Sequence, residues 1–288
     1  MLKALSWGLL DLFPKFKNRA KRTFSRFSGI SQDEQNSDSQ NTFYVETIKR
    51  FLGSEELLVK FRRPYDYREI LEHVSYKIGK SYLEQIAENR KADFINLVIA
   101  NKKNDEFGRP ITFSYQKVGK VSPTTLRYIA TALDIEKEIG IKPKDSIAEI
   151  GVGYGGQAAV ISRCFGVQSY SMYDLPEARK LTTIYLREIG SDLQPIFADL
   201  SSSPKDFDVL ISNYAYSELP RGLQEEYLQT VLMRSKRGYM IMNSGRGNKT
   251  GRSDGKLSLE ELLSCIPNSR VKEEEPLTGP DNYVFLWG

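Results

Sequence analysis

The stretch Ala148-Glu149-Ile150-Gly151-Val152-Gly153-Tyr154-Gly155-Gly156 decides the fold of this chain. The residues that lead into it, Ser146–Ile150, are mostly apolar and favour a strand, and those that follow, Gln157–Cys164, favour a helix. A glycine-rich turn between a strand and a helix lets the backbone approach a ligand closely. The stretch therefore predicts a nucleotide-type binding turn, which we call the Gly-loop (residues 151–156).

Glu149 indicates which nucleotide the Gly-loop binds. A carboxylate at the end of the strand would repel a pyrophosphate, whereas it would suit a cation. S-adenosylmethionine (SAM) carries an ammonium group, a sulfonium and no phosphate. The glycine spacing alone also fits a dinucleotide fingerprint, so a nicotinamide-dependent oxidoreductase is an alternative. Only 138 residues run from Gly151 to Gly288, which favours one small sheet over the two nucleotide-binding halves of such an oxidoreductase.

The composition is ordinary for a soluble globular protein and limits the sites that the chain can hold. Of its 288 residues, 40% are hydrophobic and 27% are charged. The net charge is +4, and six basic residues with no acid lie between Lys15 and Arg26. The rest is close to neutral, so we expect no nucleic-acid partner. With two cysteines, Cys164 and Cys265, and one histidine, His73, we expect no disulfide framework and no metal site, which fits the reducing cytoplasm.

The sequence pattern divides the chain into four segments. Residues 1–30 form a basic amphipathic arm, which is either a loosely docked terminus or an anchor whose residues 1–27 contact the inner face of the membrane. Residues 31–42 contain no apolar residue and predict a flexible linker. Residues 43–143 have mostly helical patterns and predict a cap or substrate region. Residues 144–288 alternate between strand and helix patterns and predict the SAM-binding domain.

The alternation after residue 144 predicts a mostly parallel sheet that helices cover on both faces. The predicted strands are Ser146–Ile150, Gln168–Tyr173, Pro195–Ala198, Phe207–Ser212 and Tyr239–Met242, and the predicted helices are Gln157–Cys164, Pro176–Ile189 and Leu223–Lys236. A pair of strands around Val271 and Tyr283 predicts an antiparallel C-terminal edge. The predicted fold class is therefore α/β and Rossmann-like, with a helical region before the sheet.

Polar residues that follow the predicted strands are the candidate ligand contacts, because open α/β sheets bind ligands at the carboxyl ends of their strands. Asp174 lies 23 positions after Gly151, where an acid either accepts both ribose hydroxyls or caps the next helix. Asp199 either meets an adenine amino group or lies in a solvated turn. The candidate cofactor-binding residues are Glu149, Gly151, Gly153, Gly155, Gly156, Asp174, Asp199 and Asn213.

Methyl transfer to a hydroxyl uses a base, close alignment of the reacting atoms, or both. The candidate bases follow the fourth predicted strand and are, in order of preference, Glu218, Tyr216 and Tyr214. The alternative for Glu218 is a place in the first turn of a helix, where the helix dipole favours an acid. His73 is expected to be structural, on an amphipathic helix whose apolar face consists of Ile70, Leu71, Val74 and Ile78. The alternative is that the helical cap brings His73 over the site, where it would be the histidine base of the chain.

Four runs of the sequence resemble the class I SAM-dependent methyltransferases. They are Ser122-Pro123-Thr124-Thr125-Leu126-Arg127-Tyr128, Glu149-Ile150-Gly151-Val152-Gly153-Tyr154-Gly155-Gly156-Gln157, Tyr173-Asp174-Leu175-Pro176-Glu177 and Ser212-Asn213-Tyr214-Ala215-Tyr216-Ser217-Glu218-Leu219. More narrowly, the chain from about residue 65 onward resembles a family of sugar O-methyltransferases found with bacterial surface-polysaccharide genes. The resemblance implies SAM as cofactor and a hydroxyl of a sugar or glycan precursor as acceptor.

Two further alternatives stay open at this point. The pair Asn213-Tyr214 is similar to a polar-aromatic motif of amino-group methyltransferases, which would make the product an N-methyl amine. The second alternative is that the chain is a non-catalytic module with a SAM-binding fold, tethered to a membrane by residues 1–27. Turnover of SAM separates the enzymes from the module, and the methylated atom separates the two enzymes.

Overall fold

The computed structural model describes residues 35–201, 205–243 and 255–288, in which two sheets are present. A two-stranded hairpin consists of β1 (Phe113–Tyr115) and β2 (Gly119–Val121). The central sheet has seven described strands, β3 (Ser146–Ile150), β4 (Ser169–Tyr173), β5 (Ile196–Phe197), β6 (Phe207–Asn213), β7 (Ser235–Met242), β8 (Arg270–Glu273) and β9 (Tyr283–Trp287). The predicted basic arm lies outside the described residues.

The strand order of the central sheet is β5-β4-β3-β6-β7-β9-β8. Strands β3 to β7 are parallel to one another, and β9 is antiparallel to both β7 and β8. This confirms the predicted Rossmann-like α/β fold, with a mostly parallel sheet and an antiparallel strand near its C-terminal edge. In one detail the structure differs, because β9 lies between β7 and β8 rather than at the edge. All five residues of β9 are buried, whereas both ends of β8 are exposed, so β8 suits the edge.

Helices precede the sheet and cover it. They are α1 (Gln35–Leu52), α2 (Glu55–Leu58), α3 (Tyr65–Ile70), α4 (Tyr76–Asn89), α5 (Phe94–Asn101), α6 (Pro123–Ile139), α7 (Gly156–Phe165), α8 (Pro176–Glu188), α9 (Ala215–Glu218), α10 (Arg221–Tyr227) and α11 (Leu259–Cys265). The serine before α6, Ser122, accepts a hydrogen bond from the N–H of Thr124, and Gly140 ends the helix. None of the described helices is long and apolar enough to cross a membrane.

Two apolar clusters lie on the two faces of the sheet. Alternate residues of β3 supply them, with Ile147 in one cluster and Ala148 in the other. The first cluster also takes residues from the helical region, and Phe61 packs its ring edge to face on Tyr154 with the ring centres 5.4 Å apart. Residues 40–288 form one compact unit. The predicted helical segment and the predicted SAM-binding segment therefore share a core.

The structure corrects the predicted helix around His73. Helix α3 ends at Ile70 and α4 begins at Tyr76, so His73 is an exposed residue of the connection between them. The break has a local cause, because the hydroxyl of Ser75 accepts a hydrogen bond from the N–H of Ile78 at 3.3 Å and caps α4. An N-cap serine stabilises the start of a new helix, which favours two separate helices over one continuous helix.

Two other predicted boundaries are also wrong. The predicted helix Leu223–Lys236 covers three elements in the structure. Helix α10 is followed by a π-helical turn over Leu228–Leu232, and the residues from Ser235 onward form β7, which pairs with β6. The predicted linker 31–42 is helical from Gln35, where α1 begins. Residues 35–42 contain no glycine or proline, so the amphipathic helix propagates through them.

Candidate functional site

The Gly-loop lies at the point where the strand order of the sheet reverses. Strands β4 and β5 lie on one side of β3 and β6 lies on the other, so the strand order reverses between the carboxyl ends of β3 and β6, and we call this place the crevice. Open α/β sheets bind ligands at such a point. Because β9 is antiparallel to both of its neighbours, β8 also ends at this edge. The edge therefore gathers the residues at the ends of four strands, which are Asp174, Asp199, Asn213 and Glu274.

The strand, turn and helix predicted around the Gly-loop are confirmed. The backbone φ angles that favour glycine are +77° at Gly151, +59° at Gly153 and +88° at Gly155. Packing adds a second requirement, since a Cβ at Gly151 would lie 2.1 Å from the Cβ of Ala215. At Gly156 a Cβ would lie 2.4 Å from the ring of Tyr128. Residues from α9 and α6 thus pack directly against the loop, and larger side chains do not fit.

Asp174 holds the Gly-loop from the neighbouring strand. The N–H of Gly153 donates a hydrogen bond to its carboxylate at 2.8 Å, and the N–H of Leu175 donates a second at 2.7 Å. Helix α8 has Leu175 as its N-cap and no side-chain cap, so Asp174 contacts the loop rather than capping the helix. Burial raises the pKa of Asp174 to about 6, against the effect of both hydrogen bonds. The group is a largely ionised acceptor at neutral pH.

Asp199 forms an ion pair with Arg179 at the carboxyl end of β5. The guanidinium lies 2.5 Å from the Asp199 carboxylate and also donates to the backbone oxygens of Asp174 and Ala198, at 2.7 and 2.8 Å. The hydrogen bond from Arg179 lowers the pKa of Asp199. Since 61% of the Asp199 side chain is exposed, the carboxylate is still open to a further donor. Arg179 ties together the ends of β4 and β5.

Glu149 is enclosed in the core near the end of β3. Its side chain is buried between the sheet and the helices, and the hydroxyl of Tyr170 donates a hydrogen bond to its carboxylate at 2.7 Å. Burial raises the pKa of Glu149 to about 8, although the hydrogen bond from Tyr170 opposes the shift. The carboxyl group is therefore mostly protonated at neutral pH. A protonated carboxyl group lacks the negative charge that the sequence interpretation gave to Glu149, and the contact of Glu149 with a cofactor stays a prediction.

The side-chain oxygen of Asn213 is a buried acceptor that receives no hydrogen bond from the described residues. Its Nδ2 donates to the Oε1 of Gln157 at 3.3 Å, and Gln157 in turn donates to the backbone oxygen of Tyr128 at 3.0 Å. The Oδ1 of Asn213 is enclosed, and no hydrogen-bond partner for it is present among the described residues. Buried acceptors are nearly always paired in folded proteins, so an open one at a ligand-binding edge is a candidate for a ligand donor.

Tyr214 points its hydroxyl at an acid that the sequence interpretation missed. The hydroxyl donates to the carboxylate of Glu274 and lies 3.0 Å from the Oγ1 of Thr278. Glu274 is 5% exposed and also accepts from the N–H of Thr278. Tyr214 has φ of +70°, a strained conformation for a bulky residue. Strain of this kind, at the end of a central strand, is typical of a residue held in place for a function.

The other two candidate bases lie in different surroundings. Tyr216 is fully buried in the second apolar cluster, and its hydroxyl donates to the backbone oxygen of Gln224 at 3.0 Å. The structure thus gives Tyr216 a packing contact and does not bring its hydroxyl to the crevice. Glu218 is exposed and accepts from Asn243 at 2.7 Å. Desolvation raises the pKa of Glu218, and the hydrogen bond from Asn243 opposes the shift.

A buried network joins the helical region to the Gly-loop. Arg62 is fully buried, and its Nε donates to Glu72 at 2.6 Å. Glu72 also accepts from the hydroxyl of Tyr154 in the Gly-loop at 2.9 Å. Asn104 donates to the backbone oxygen of Gly156 at 2.9 Å, and its own backbone oxygen accepts from Arg62 at 2.7 Å. The region before the sheet therefore fixes the shape of the loop, and no local pattern in the sequence indicated these contacts.

Among the described residues, no group of three or more histidine, cysteine and acidic side chains could hold a metal ion. The sequence matches no family model and no curated protein.

Solved structures with a similar fold are known. They include a Galdieria sulphuraria protein described as a sarcosine dimethylglycine methyltransferase (20% identity over 42% of this chain and 46% of that chain, TM-score 0.33). They also include the pyocyanin biosynthetic protein PhzM (12% identity, 57% and 55%, TM-score 0.42) and the magnesium protoporphyrin IX methyltransferase of Synechocystis PCC 6803 with bound SAH (11% identity, 56% and 80%, TM-score 0.43). The chain spans about half the length of the first two.

Proposed function

We propose that the chain is a SAM-dependent methyltransferase whose cofactor binds in the crevice between β3 and β6. The observation that carries the proposal is the Asp174 carboxylate at the N–H of Gly153, because it places a negative charge inside the Gly-loop. A pyrophosphate would meet repulsion there, whereas ribose hydroxyls would find an acceptor. The open Oδ1 of Asn213 suits an ammonium donor on the other side of the loop.

The residues at the edge fit the remaining parts of the same ligand. Asp199 keeps an exposed carboxylate that suits an adenine amino group. The glycines at positive φ give the turn a backbone without side chains, so the ligand can lie against that backbone. Bound there, SAM supplies an electrophilic methyl group on a sulfonium. The chain's own residues then align the acceptor and take its proton, and alignment alone can supply about 7–11 kcal/mol of the barrier.

We propose Tyr214 and Glu274 as the pair that takes the proton from the acceptor. The Tyr214 oxygen can accept a hydrogen bond from an acceptor hydroxyl while its own proton passes to the Glu274 carboxylate. Glu218 is the alternative base, because its exposed carboxylate lies after the same strand. A sugar hydroxyl is the proposed acceptor. The family resemblance supports it, and the edge also offers the hydrogen-bonding groups of Tyr214, Thr278 and Asn282.

The decisive test is calorimetric titration of the full chain with S-adenosylhomocysteine and, separately, with NAD. We expect binding of S-adenosylhomocysteine and a loss of about tenfold or more in Asp174→Ala, since a charge-assisted acceptor is removed. Asp206→Asn is the matched control, because Asp206 pairs with Arg234 before β6, at the opposite end of the strand. Binding of NAD instead would contradict the proposal and favour an oxidoreductase.

Turnover separates an enzyme from a binding module. Release of S-adenosylhomocysteine from SAM in the presence of a glycan panel, with an O-methyl product, is the expected result. An N-methyl product on an amino sugar would keep the cofactor and change the acceptor. Tight binding of S-adenosylhomocysteine without turnover on any acceptor would favour a non-catalytic module.

We also propose that residues 1–27 contact anionic membrane and place the enzyme near membrane-borne glycan precursors. The support is the sequence alone, with its six basic residues between Lys15 and Arg26 and interleaved phenylalanines. Full chain should sediment with vesicles of anionic lipid, and a variant that lacks residues 1–30 should not. Equal sedimentation of the two proteins would remove this proposal and leave the catalytic proposal untouched.

A further inference from the structure

Arg127 is a nearly buried cation with few partners. It lies on α6, within the first of the four sequence runs that carry the family resemblance, and only 7% of it is exposed. Its Nη2 donates to the backbone oxygen of Leu71 at 3.3 Å, and its guanidinium carbon lies 5.3 Å from the centre of the Tyr128 ring. Within the part of the chain that the structure describes, no acid forms an ion pair with it.

Other arginines in the interior differ from Arg127 in this respect. The fully buried Arg62 has Glu72 at 2.6 Å and Asp105 at 3.6 Å, in addition to a backbone oxygen. Arg237, which is half-buried, pairs with Asp145 at 2.8 Å. A desolvated charge without a counter-charge is costly, whereas a paired one is largely compensated. The ligand-free protein therefore holds an uncompensated positive charge at Arg127.

The position of Arg127 connects it to the crevice. Leu71, which accepts its hydrogen bond, lies over the Gly-loop, since a Cβ at Gly153 would be 3.1 Å from a Leu71 methyl group. The charge of Arg127 also interacts with the hydroxyls of Tyr214 and Tyr82. No nitrogen of Arg127 is among the enclosed, unpartnered atoms of the described residues, so its remaining N–H groups still have access to solvent. They are available to a ligand.

We infer that Arg127 binds the carboxylate of a ligand held at the Gly-loop. A guanidinium presents a planar fork of N–H donors that matches a carboxylate, and the low exposure of Arg127 strengthens such a pair. The carboxylate belongs either to the amino-acid end of the nucleoside or to an acidic sugar acceptor. The use of S-adenosylhomocysteine as a probe rests on the proposed function. The inference that Arg127 binds a carboxylate does not rest on it.

The experiment uses Arg127→Met and Arg127→Lys in the full chain, with Arg237→Met as control. Arg237 is half-buried and pairs with Asp145, which precedes β3, so it lies at the opposite end of the sheet from the Gly-loop. The first pair of probes is S-adenosylhomocysteine and 5′-methylthioadenosine, which lacks the amino-acid carboxylate. The second pair is glucuronate and glucose, compared by thermal shift at millimolar concentration. Melting of the ligand-free proteins is measured as well.

We expect Arg127→Met to keep or raise the melting temperature of the ligand-free protein and to lower its affinity for the ligand. Ligand-free Arg127→Met should melt at or above the wild-type temperature, because an uncompensated charge has been removed. Its affinity for S-adenosylhomocysteine should fall about ten- to hundredfold, with 5′-methylthioadenosine nearly unaffected, if the carboxylate is that of the nucleoside. If S-adenosylhomocysteine is unaffected and the shift by glucuronate is lost, the carboxylate is that of the acceptor. Arg127→Lys should restore part of either effect.

Two results would overturn the inference. One is a variant that binds all four probes as the wild type does. The other is a lowered melting temperature together with an equal loss of affinity for both nucleosides, which a purely structural arginine would produce. If the wild type binds neither nucleoside, the proposed function fails and the glucuronate comparison alone decides this inference. A wild type that glucuronate and glucose shift equally would then overturn it.

Discussion

The hydroxyl of Tyr214 donates a hydrogen bond to the carboxylate of Glu274, although the two residues are 60 positions apart in the chain. The bond joins the end of β6 to the end of β8 across the carboxyl edge of the sheet. Burial raises the pKa of Tyr214, so the phenol keeps its proton at neutral pH and acts as a donor to Glu274. In the proposed reaction the phenol would take the proton of the acceptor while passing its own proton to Glu274 along this hydrogen bond.

The first prediction concerns the hydroxyl of Tyr214. Tyr214→Phe removes the group that would meet the acceptor, so kcat should fall by about 10²- to 10⁴-fold if the phenol relays the proton. Affinity for S-adenosylhomocysteine should change little, because the hydroxyl is directed at Glu274 rather than at the Gly-loop. Single-turnover rates and calorimetry measure the two quantities.

Tyr216→Phe is the matched control for that prediction. It also removes a phenol two residues away, together with a hydrogen bond to the backbone oxygen of Gln224, which keeps the N–H of Leu228 as a donor. The expected cost is about 0.5–1.5 kcal/mol in the free energy of unfolding, with kcat per folded molecule unchanged. Equal losses of kcat in the two variants would show that neither hydroxyl acts in the reaction.

The second prediction concerns the pH dependence of cofactor binding. The pKa of Asp174 in the folded protein is about 6, raised by burial from 3.8. If the ionised form accepts ribose hydroxyls, affinity for S-adenosylhomocysteine should fall as the pH is lowered through about 6. The free energy of unfolding depends on pH in the opposite direction. The contribution of Asp174 to it is full below about pH 4 and decreases as the pH rises to about 6, because the folded state holds the proton more tightly. Calorimetry from pH 5 to pH 8 in wild type and Asp174→Asn should show the step only in the wild type.

The third prediction concerns Glu149. Because its pKa is raised to about 8 by burial, the folded state keeps a proton that the unfolded state loses near 4.5. Stability contributed by this group is full below about pH 4.5 and declines as the pH rises to about 8, at up to about 1.4 kcal/mol per pH unit. Denaturant titrations should show this slope in the wild type and a flatter profile in Glu149→Gln. The affinity for S-adenosylhomocysteine should be the same in both.

A loss of that affinity in Glu149→Gln would contradict the structure and return Glu149 to the role of a charged ligand contact. The packing of β3 explains why the sequence interpretation expected a charged carboxylate at Glu149. Residues of β3 are buried on both faces, and Glu149 lies on the same face as Ile147. Its partner Tyr170 is brought beside it by the register of β3 and β4, in which Glu149 pairs with Met172, two residues along.

Local signals predicted much of the fold and part of the candidate site. The strands β3, β4 and β6 and the helices α7 and α8 were predicted within one or two residues, because apolar runs bounded by glycine or proline set their limits. Glu274 was missed since nothing in its neighbourhood distinguishes it from the acids at positions 273 and 275. Its role depends on the place of β9 between β7 and β8, which brings the end of β8 to the crevice.

The last prediction concerns the shape of the Gly-loop. Gly151→Ala combines a positive φ of +77° with a Cβ placed 2.1 Å from that of Ala215, so it should destabilise the fold by about 3 kcal/mol or more and also disrupt the crevice. Gly190→Ala is the control, since Gly190 has φ of +58° and open space around its Cβ position, and its cost should be about 1–2 kcal/mol. Chemical denaturation compares the two variants, and equal costs would mean that Ala215 and α9 move aside easily. In that case the close contact between α9 and the loop would not define the binding crevice.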